Sequence, residues 1–314
     1  MTENQSGILN AQKRQRLLKN IWRDRYLFLL TLPLIAYYVI FHFVPLSGLV
    51  IAFKKFTPGK GIYAGKWVGL RWFTEFFNSP FAWRTIRNTL LLSFYSIVIG
   101  FPAPIIFAIC VTELRTNKAR RVVQTVSYLP HFISTVVLVG MVQNMFTTNT
   151  GIVNNIIAAF GGKRITFLMA PEWFRTLYVG SGVWQSFGYN SIIYIAAIVG
   201  IDPTLYEAGS IDGITKFQQV RYITLPMIAQ TIVLLFIMRL GSMMSIGFEK
   251  VYLMYSPAVY ETADVISTYV YRKGIEGNNF GYATAIGLFN SVINFSLVVL
   301  ANTVSRKLTD SGMW

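Results

Sequence analysis

Residues that build most enzyme and metal sites are scarce in this sequence. Its 314 residues include one cysteine, two histidines and 13 Asp or Glu. One cysteine excludes an intrachain disulfide and a cysteine-based metal cluster, and because Cys110 lies in an apolar run we expect it to be a small packed residue. His42 and His131 stand apart from other ligand types. The sequence therefore predicts no metal site in this chain.

The sequence also lacks the Gly-x-x-x-x-Gly-Lys-[Ser/Thr] loop that cradles nucleotide phosphates, so the chain cannot hydrolyse ATP by that mechanism. Acid–base catalysis requires ionisable groups near one another. The carboxylates are dispersed along the chain, and only Asp202, Glu207 and Asp212 lie close together. These absences argue against a catalytic centre.

Apolar residues and positive charge are abundant. Apolar residues make up 54% of the sequence and the net charge is +15, whereas soluble domains have an apolar share of about 45–50%. Nucleic-acid-binding proteins gather Lys and Arg into one patch beside a soluble core, but here the basic residues lie in short tracts between long apolar runs. The composition predicts a membrane protein and no nucleic-acid partner.

Six apolar runs are long enough to cross a lipid bilayer. A hydrocarbon core of about 30 Å needs roughly 20 helical residues at ~1.5 Å each. We therefore predict an all-α integral membrane protein with six transmembrane helices, surrounded by membrane lipid. The runs are Tyr26–Val44, Thr89–Val111, Val122–Phe146, Leu177–Gly200, Leu225–Gly247 and Tyr282–Val304.

Basic residues near the helix ends predict the orientation of the chain. They divide almost equally between the two sides, so the basic N-terminus and the compact loop Arg115–Arg121 decide, and both place the termini in the cytosol. The segment after the first run is rich in Trp and Phe, which is typical of a membrane boundary. The predicted organisation is a basic cytosolic segment (1–25), a first transmembrane helix (26–46), an extracytoplasmic interfacial segment (47–84), a core of five further helices (85–305) and a cytosolic tail (306–314).

One loop between the fourth and fifth runs, 202–226, has an ordered pattern. Asp202 can cap a short helix that Pro203 begins, and Gly213 supplies a positive-φ or close-approach position where that helix ends. Pro226 suits the first turn of the next membrane helix. The pattern predicts a short polar helix at the cytosolic surface, with an ordinary loop as the alternative.

The order of residues in this loop resembles the EAA signature of bacterial ABC importer permeases. Glu207-Ala208-Gly209 is followed by Gly213 and, nine residues later, by Ile223-x-Leu225-Pro226. The third position is usually Ala in that family and is Gly209 here, a change between small residues that we expect to be tolerated. The resemblance covers about 84–305 and combines residue type, spacing and location.

Two further stretches resemble particular members of that family. Arg87-Asn88-Thr89-Leu90 is similar to the entry of the permease core in sugar-type members. The stretches 247–255 and 260–266 resemble the branch that serves oligosaccharides released from complex polysaccharides. The resemblance therefore implies a sugar substrate.

The resemblance also implies partners. Such permeases pair, usually as a heterodimer, and each inserts its short helix into a cleft of an ATPase subunit, so that closure of the ATPases rocks the membrane helices. The implied assembly contains a second permease subunit, two ATP-binding subunits that hold ATP and Mg, and an extracytoplasmic solute-binding protein in a bacterial inner membrane; this chain itself holds no cofactor. The implied ATPase-coupling residues are Asp202, Glu207, Ala208, Gly209, Asp212, Gly213, Leu225 and Pro226.

Polar residues inside the predicted helices are candidates for a translocation path, because they are costly in lipid. Ser186, Asn190 and Tyr194 recur at helical spacing, as do Asn290 and Asn294. Hydrogen bonds between helices are an equally good explanation for the amides. Aromatic rings could contact sugar C–H faces or simply pack. The candidate path residues are Trp184, Ser186, Tyr189, Asn190, Tyr194, Arg239, Asn290 and Asn294.

Charged residues at the fifth helix leave two interpretations open. Arg239 lies well inside the predicted span, where it either pairs with an acidic residue of this or a partner chain, which is the preferred interpretation, or attracts an anionic sugar. Glu249 and Lys250, just beyond that span, either contact a docked binding protein or lie in a solvated loop, and the solvated loop is preferred.

The predicted function is import of an oligosaccharide, which the basic balance allows to be acidic, through a permease subunit driven by separate ATPases. The alternative is a membrane-embedded enzyme, such as a lipid-linked sugar transferase. The dispersed carboxylates speak against the enzyme.

Overall fold

Helices make up the regular structure of the chain. The computed structural model describes residues 23–244 and 246–309, without the side chains of 305 and 307–309. The predicted segment 1–25 therefore lies almost entirely outside the described residues, as do 310–314 of the predicted tail. Within the described ranges, the β pairing consists of one isolated bridge between Lys54 and Trp67. The predicted all-α class is confirmed.

The helices follow one another with short connections. In chain order they are α1 (Arg25–Tyr38), α2 (Arg71–Phe77), α3 (Pro80–Gly100), α4 (Pro102–Thr112), α5 (Asn117–Tyr128), α6 (Thr135–Phe146), α7 (Ile152–Ala159), α8 (Pro171–Val199), α9 (Pro203–Ile211), α10 (Lys216–Gln219), α11 (Ala229–Gly241), α12 (Phe248–Met254), α13 (Tyr260–Ala263), α14 (Ile266–Tyr271) and α15 (Phe280–Thr309). Wide π turns, 3-10 turns and two three-residue helical pieces, Val44–Leu46 and Leu225–Met227, extend some of them, and they carry the helical path after α1 to Phe53 and after α10 to Met227.

Three helical stretches among the described residues are long and apolar enough to cross a membrane unaided. They are Arg25–Phe53, Pro80–Thr112 and Phe280–Val304. Three further candidates exist only if bent pairs count as single spans: Asn117–Phe132 with Thr135–Phe146 (99°), Pro171–Val199 with Pro203–Ile211 (70°), and Lys216–Met227 with Ala229–Gly241 (64°). The predicted number of six is thus the upper value that the structure allows, and it stays a prediction.

The second predicted span begins earlier than expected. Helix α3 starts at Pro80 because the Ser79 hydroxyl accepts a hydrogen bond from the backbone N–H of Phe81 (3.3 Å). The polar residues of its first turns face the protein, where Thr85 and Asn88 are fully buried. The polar stretch before Thr89 is therefore the inward face of a helix that continues towards the predicted span.

The structure differs from the prediction at Pro226. The helical path begins ten residues earlier at Lys216, where Thr215 and Gln218 form a capping box, and Pro226 lies inside it. A wide turn, Val220–Thr224, ends just before this proline and helps the helix accommodate it. The 64° change of direction follows at Ile228.

Helix α8 lies at the centre of the packing. It contacts α3, α4, α5, α12 and α13. At Gly188 it approaches α5 so closely that an added Cβ would lie 2.1 Å from the backbone oxygen of Ser127, a contact that only glycine permits. A second group of buried side chains joins α2 to α15 through Trp72, Phe76 and Ile286.

Cys110 is exposed on α4, so the expectation that it is packed was wrong for this chain alone.

Candidate translocation cavity and coupling helix

A cavity of about 480 Å³ opens beside the middle of α8. Helices α3, α4, α11 and α12 supply the other walls, through Ser96, Pro104, Met238 and Lys250 among others. Its volume lies within the range of about 300–1,000 Å³ that is typical of small-molecule sites. A chain of this fold therefore has a concave, mixed polar and apolar surface against its central helix.

The polar stripe predicted on the fourth span lies in this cavity. Ser186, Asn190 and Tyr194 all line it, and Asn190 is exposed to it. The Ser186 hydroxyl donates to the carbonyl of Gly182 one turn earlier (2.8 Å). Gln185, which sequence reasoning missed, also lines the cavity while its amide donates to the carbonyl of Ile133 (2.8 Å). It is outside the i, i+4, i+8 spacing of Ser186, Asn190 and Tyr194, so that spacing alone could not have revealed it.

Four other candidate path residues do not line the cavity. Trp184 is exposed on another face of α8, and Tyr189 stacks on His131 with ring centroids 3.8 Å apart. On α15, the Asn294 side-chain oxygen accepts a hydrogen bond from the backbone N–H of Met244 (2.8 Å), and the Asn290 side-chain oxygen is buried. Asn294 thus links α15 to the turn after α11, as its reading as a link between helices expects, whereas the buried Asn290 oxygen has no hydrogen-bond partner among the described residues.

The cavity carries two cations. Arg239 and Lys250 both line it, and none of its described lining residues is Asp or Glu. The Lys250 ammonium donates to the carbonyl of Tyr178 (2.8 Å) and lies 4.8 Å from the centre of that ring. Burial lowers the pKa of Lys250 to about 8. The preferred expectation of a solvated loop at Lys250 was therefore wrong, because the first turn of α12 folds back onto α8.

A second group of cations, unlike Arg239 and Lys250, is paired with a carboxylate. The fully buried carboxylate of Asp264 accepts hydrogen bonds from Arg84 (3.1 Å) and Arg272 (2.8 Å). Burial tends to lower the pKa of Arg272, but the hydrogen bonds and charge of Asp264 raise it overall. Asn88 adds hydrogen bonds to the carbonyls of Asp264 and Glu261. This Asp264 cluster joins α3 to the α13–α14 region.

The predicted coupling segment forms the short helix α9. The Asp202 carboxylate caps it by accepting from the backbone N–H of Thr204 (2.9 Å), and this hydrogen bond lowers the pKa of Asp202. Gly213 ends the segment at φ +75°, with open space where a side chain would be. The positive-φ reading of Gly213 thus applies, and the close-approach reading does not.

Helix α9 is attached along one side and exposed along the other. Gly209 is buried, and an added Cβ would lie 2.7 Å from the end of the Ile214 side chain. The Tyr206 and Thr224 hydroxyls share a hydrogen bond (2.9 Å). Residues on the other side are exposed, among them Glu207, Ala208, Asp212 and Ile211, whose exposure is 86%. Leu225 is half-buried beneath the helix.

Comparison with known proteins identifies the family. Residues 100–310 match the binding-protein-dependent transport system inner membrane component. The chain belongs to this family. It is 39% identical to the polygalacturonan/rhamnogalacturonan transport system permease protein YteP of Bacillus subtilis (strain 168), over 98% of this chain and 96% of that relative. It is 38% identical to Protein LplB of the same organism, over the same shares.

A solved structure shows the same fold over nearly the whole length. A chain in the crystal structure of a bacterial alginate ABC transporter in complex with alginate pentasaccharide-bound periplasmic protein is 43% identical, with a TM-score of 0.89. The match covers 95% of this chain and all of that one. The predicted family and fold are confirmed, and membership of a transport family removes the enzyme alternative.

Proposed function

We propose that this permease carries an acidic oligosaccharide, released from a polysaccharide, along the cavity beside α8. The single observation that carries the proposal is a cavity with polar groups for sugar hydroxyls and two cations, but with no described acidic residue in its lining. Hydroxyls need hydrogen-bond partners wherever water is displaced. The likeness to permeases named for polygalacturonan and alginate transport supports the substrate class.

Ser186, Asn190, Tyr194 and Arg239 are the path residues that the cavity supports best. A sugar chain at this position would contact the polar face of α8 and the cations of α11 and α12. The other four candidates have less support as path residues, because a second permease subunit or another conformation would have to bring them to the path. They are Trp184, Tyr189, Asn290 and Asn294.

Helix α9 is proposed as the coupling helix. Its exposed side offers the Glu207 charge, the small Ala208 and the apolar Ile211 to a cleft of an ATPase subunit. Attached through Gly209 and Tyr206 to the wide turn Val220–Thr224, it would pass movement to the bent helix pair that contains α10 and α11. The proposed orientation places α9 and both termini in the cytosol of a bacterial cell, and ATP with Mg in the partner ATPases.

The substrate proposal is tested by reconstitution of the whole transporter, with its second permease, ATPases and binding protein, in proteoliposomes. A labelled uronic-acid trisaccharide should be taken up in an ATP-dependent manner. The same trisaccharide without label should inhibit this uptake, and an amino acid should not. Absence of uptake by an assembled, ATP-hydrolysing complex would reject the substrate class.

The coupling proposal has a matched pair of variants. Gly213→Leu forces a branched residue into φ +75°, and Gly161→Leu does the same at φ +77°, also in open space. Both incur a strain of about 1–3 kcal/mol, but only Gly213→Leu should reduce co-purification of the ATPase. Glu207→Ala should leave assembly nearly intact and weaken substrate-stimulated ATP hydrolysis. Equal ATPase recovery with both leucine variants would reject the coupling role of this turn.

A further inference from the structure

Contacts with α8 hold the Lys250 side chain in place in the wall of the cavity. Its ammonium is fixed by the Tyr178 carbonyl and lies over the ring of the same residue. Helix α8 makes room for it with a glycine, since an added Cβ at Gly182 would lie 3.0 Å from the Lys250 nitrogen. The gap at Gly182 and the carbonyl one turn earlier together hold a cation on the surface of the cavity.

Charges around Lys250 do not neutralise it within the described part of the chain. The titratable or charged groups that share the cavity are Tyr178 and Tyr194 of α8 and Arg239 of α11. Arg239 is close enough to Tyr178 to affect it electrostatically. A desolvated cation without a counter-ion is unfavourable. An anion bound next to Lys250 would therefore be stabilised by its charge.

We propose that Lys250 is the specificity-determining residue that binds a sugar carboxylate in this cavity, with Arg239 as a second cation for the next acidic unit. The proposal rests on the proposed function and assigns its charge selectivity to one side chain. Lys250 donates two hydrogens to the carboxylate while the third remains on the Tyr178 carbonyl. The polar stripe of α8 takes the hydroxyls.

The alternative occupant is a carboxylate of the second permease subunit. In that case Lys250 would be needed for assembly, and its loss would affect the transporter with every substrate and without substrate. If Lys250 instead binds the carboxylate of the sugar, it is needed only for the transport of acidic sugars. The two roles therefore separate by measuring complex yield and basal ATP hydrolysis beside uptake.

The first test removes the charge. Lys250→Gln, Lys250→Arg and the control Lys60→Gln are prepared in the complete transporter, because Lys60 is exposed and lies in the predicted extracytoplasmic segment. Uptake of a uronic-acid trisaccharide should fall at least about tenfold in Lys250→Gln, the effect of losing a hydrogen bond to a charged group. Lys250→Arg should retain most of the uptake, and Lys60→Gln all of it.

The second test keeps the lysine and fills its gap. Gly182→Ala places a methyl group 3.0 Å from the ammonium, whereas the control Gly180→Ala on the same helix meets nothing within 4 Å. Gly182→Ala should reduce uptake of the uronic-acid trisaccharide severalfold, and Gly180→Ala should not. If the Lys250→Gln transporter does not assemble, this pair of glycine variants still tests whether Lys250 binds the sugar carboxylate.

Each outcome has a distinct meaning. Wild-type uptake in both Lys250→Gln and Gly182→Ala overturns the proposal and leaves the proposed function standing. Parallel loss of uptake, complex yield and basal ATP hydrolysis also overturns it, in favour of pairing with the second permease. No uptake by the wild-type transporter rejects the proposed function itself.

Discussion

Two groups of basic residues in this chain are held in opposite ways. Arg84 and Arg272 surround the fully buried carboxylate of Asp264, whereas Arg239 and Lys250 face a cavity with no described acidic residue in its lining. The first group satisfies its charges within the chain and joins helices. The second leaves its charges available. The location of the few acidic residues therefore separates structural cations from those free to meet a ligand.

The largest expected effect comes from breaking the satisfied group. Asp264→Asn removes the charge that two arginines share, and loss of one partner from a buried ion pair costs about 3–5 kcal/mol. The variant should show low yield and a lower melting temperature of the detergent-solubilised transporter. Glu276→Gln, an exposed change of the same kind, is the control. An unchanged melting temperature for Asp264→Asn would mean that this cluster is not structural.

The next effect comes from the available group. Arg239→Leu should reduce uptake of acidic oligosaccharides more than that of neutral ones of equal length, because it removes a cation from the path. The melting temperature should change little, since Arg239 is exposed in this chain. Arg239→Lys should preserve part of the uptake. Equal loss for acidic and neutral sugars would instead indicate a structural pair with another subunit.

A smaller effect is expected from pH. Burial lowers the pKa of Lys250 to about 8, so its positive charge is present at neutral pH and disappears as pH rises through that value. Tyr178, Tyr194 and Arg239 share the cavity, and no described carboxylate there opposes the change. Uptake of an acidic trisaccharide should therefore decline on the alkaline side. Lys250→Arg should abolish this decline relative to the wild type, and the same decline in both would refute the assignment.

The smallest effect is expected at a pair that is neither buried nor in the cavity. Lys216 and Glu113 are 3.2 Å apart, with side chains 74% and 39% exposed. Exposed pairs contribute about 0–1 kcal/mol. Lys216→Met should therefore leave the melting temperature and uptake nearly unchanged. A large loss would show that this surface pair is buried against an ATPase subunit in the assembled transporter.

Much of the site could be predicted because it depends on local spacing. Helical spacing placed Ser186, Asn190 and Tyr194 on one face, and the cavity lies along that face. The capped start at Asp202 and the turn at Gly213 follow from backbone chemistry and were found where expected. Such features are fixed by a few neighbouring residues, so the sequence alone reveals them.

Features that depend on contacts between distant segments could not be predicted in this way. Lys250 faces the cavity only because α12 folds back onto Tyr178, 72 residues away. The inward direction of the polar face of α3 has the same origin, because Asn88 on that face donates to the carbonyls of Glu261 in α13 and of Asp264. Trp184 and Tyr189 have the residue type expected of a sugar path, but residue type does not determine which face of α8 meets the cavity.

The close contact between Gly188 and Ser127 gives α8 a point about which a rigid tilt would turn. The helix is unbroken from Pro171 to Val199, and α5 touches it near its midpoint. If α8 tilts as a rigid rod about this contact, a displacement of its C-terminal end, which leads into α9, is reversed at its N-terminal end. At ~1.5 Å per residue, a tilt of about 10° would shift Gly182 by roughly 1.5 Å and Pro171 by roughly 4.5 Å. A small displacement of α9 would thus shift the cavity wall at Gly182 by about one bond length.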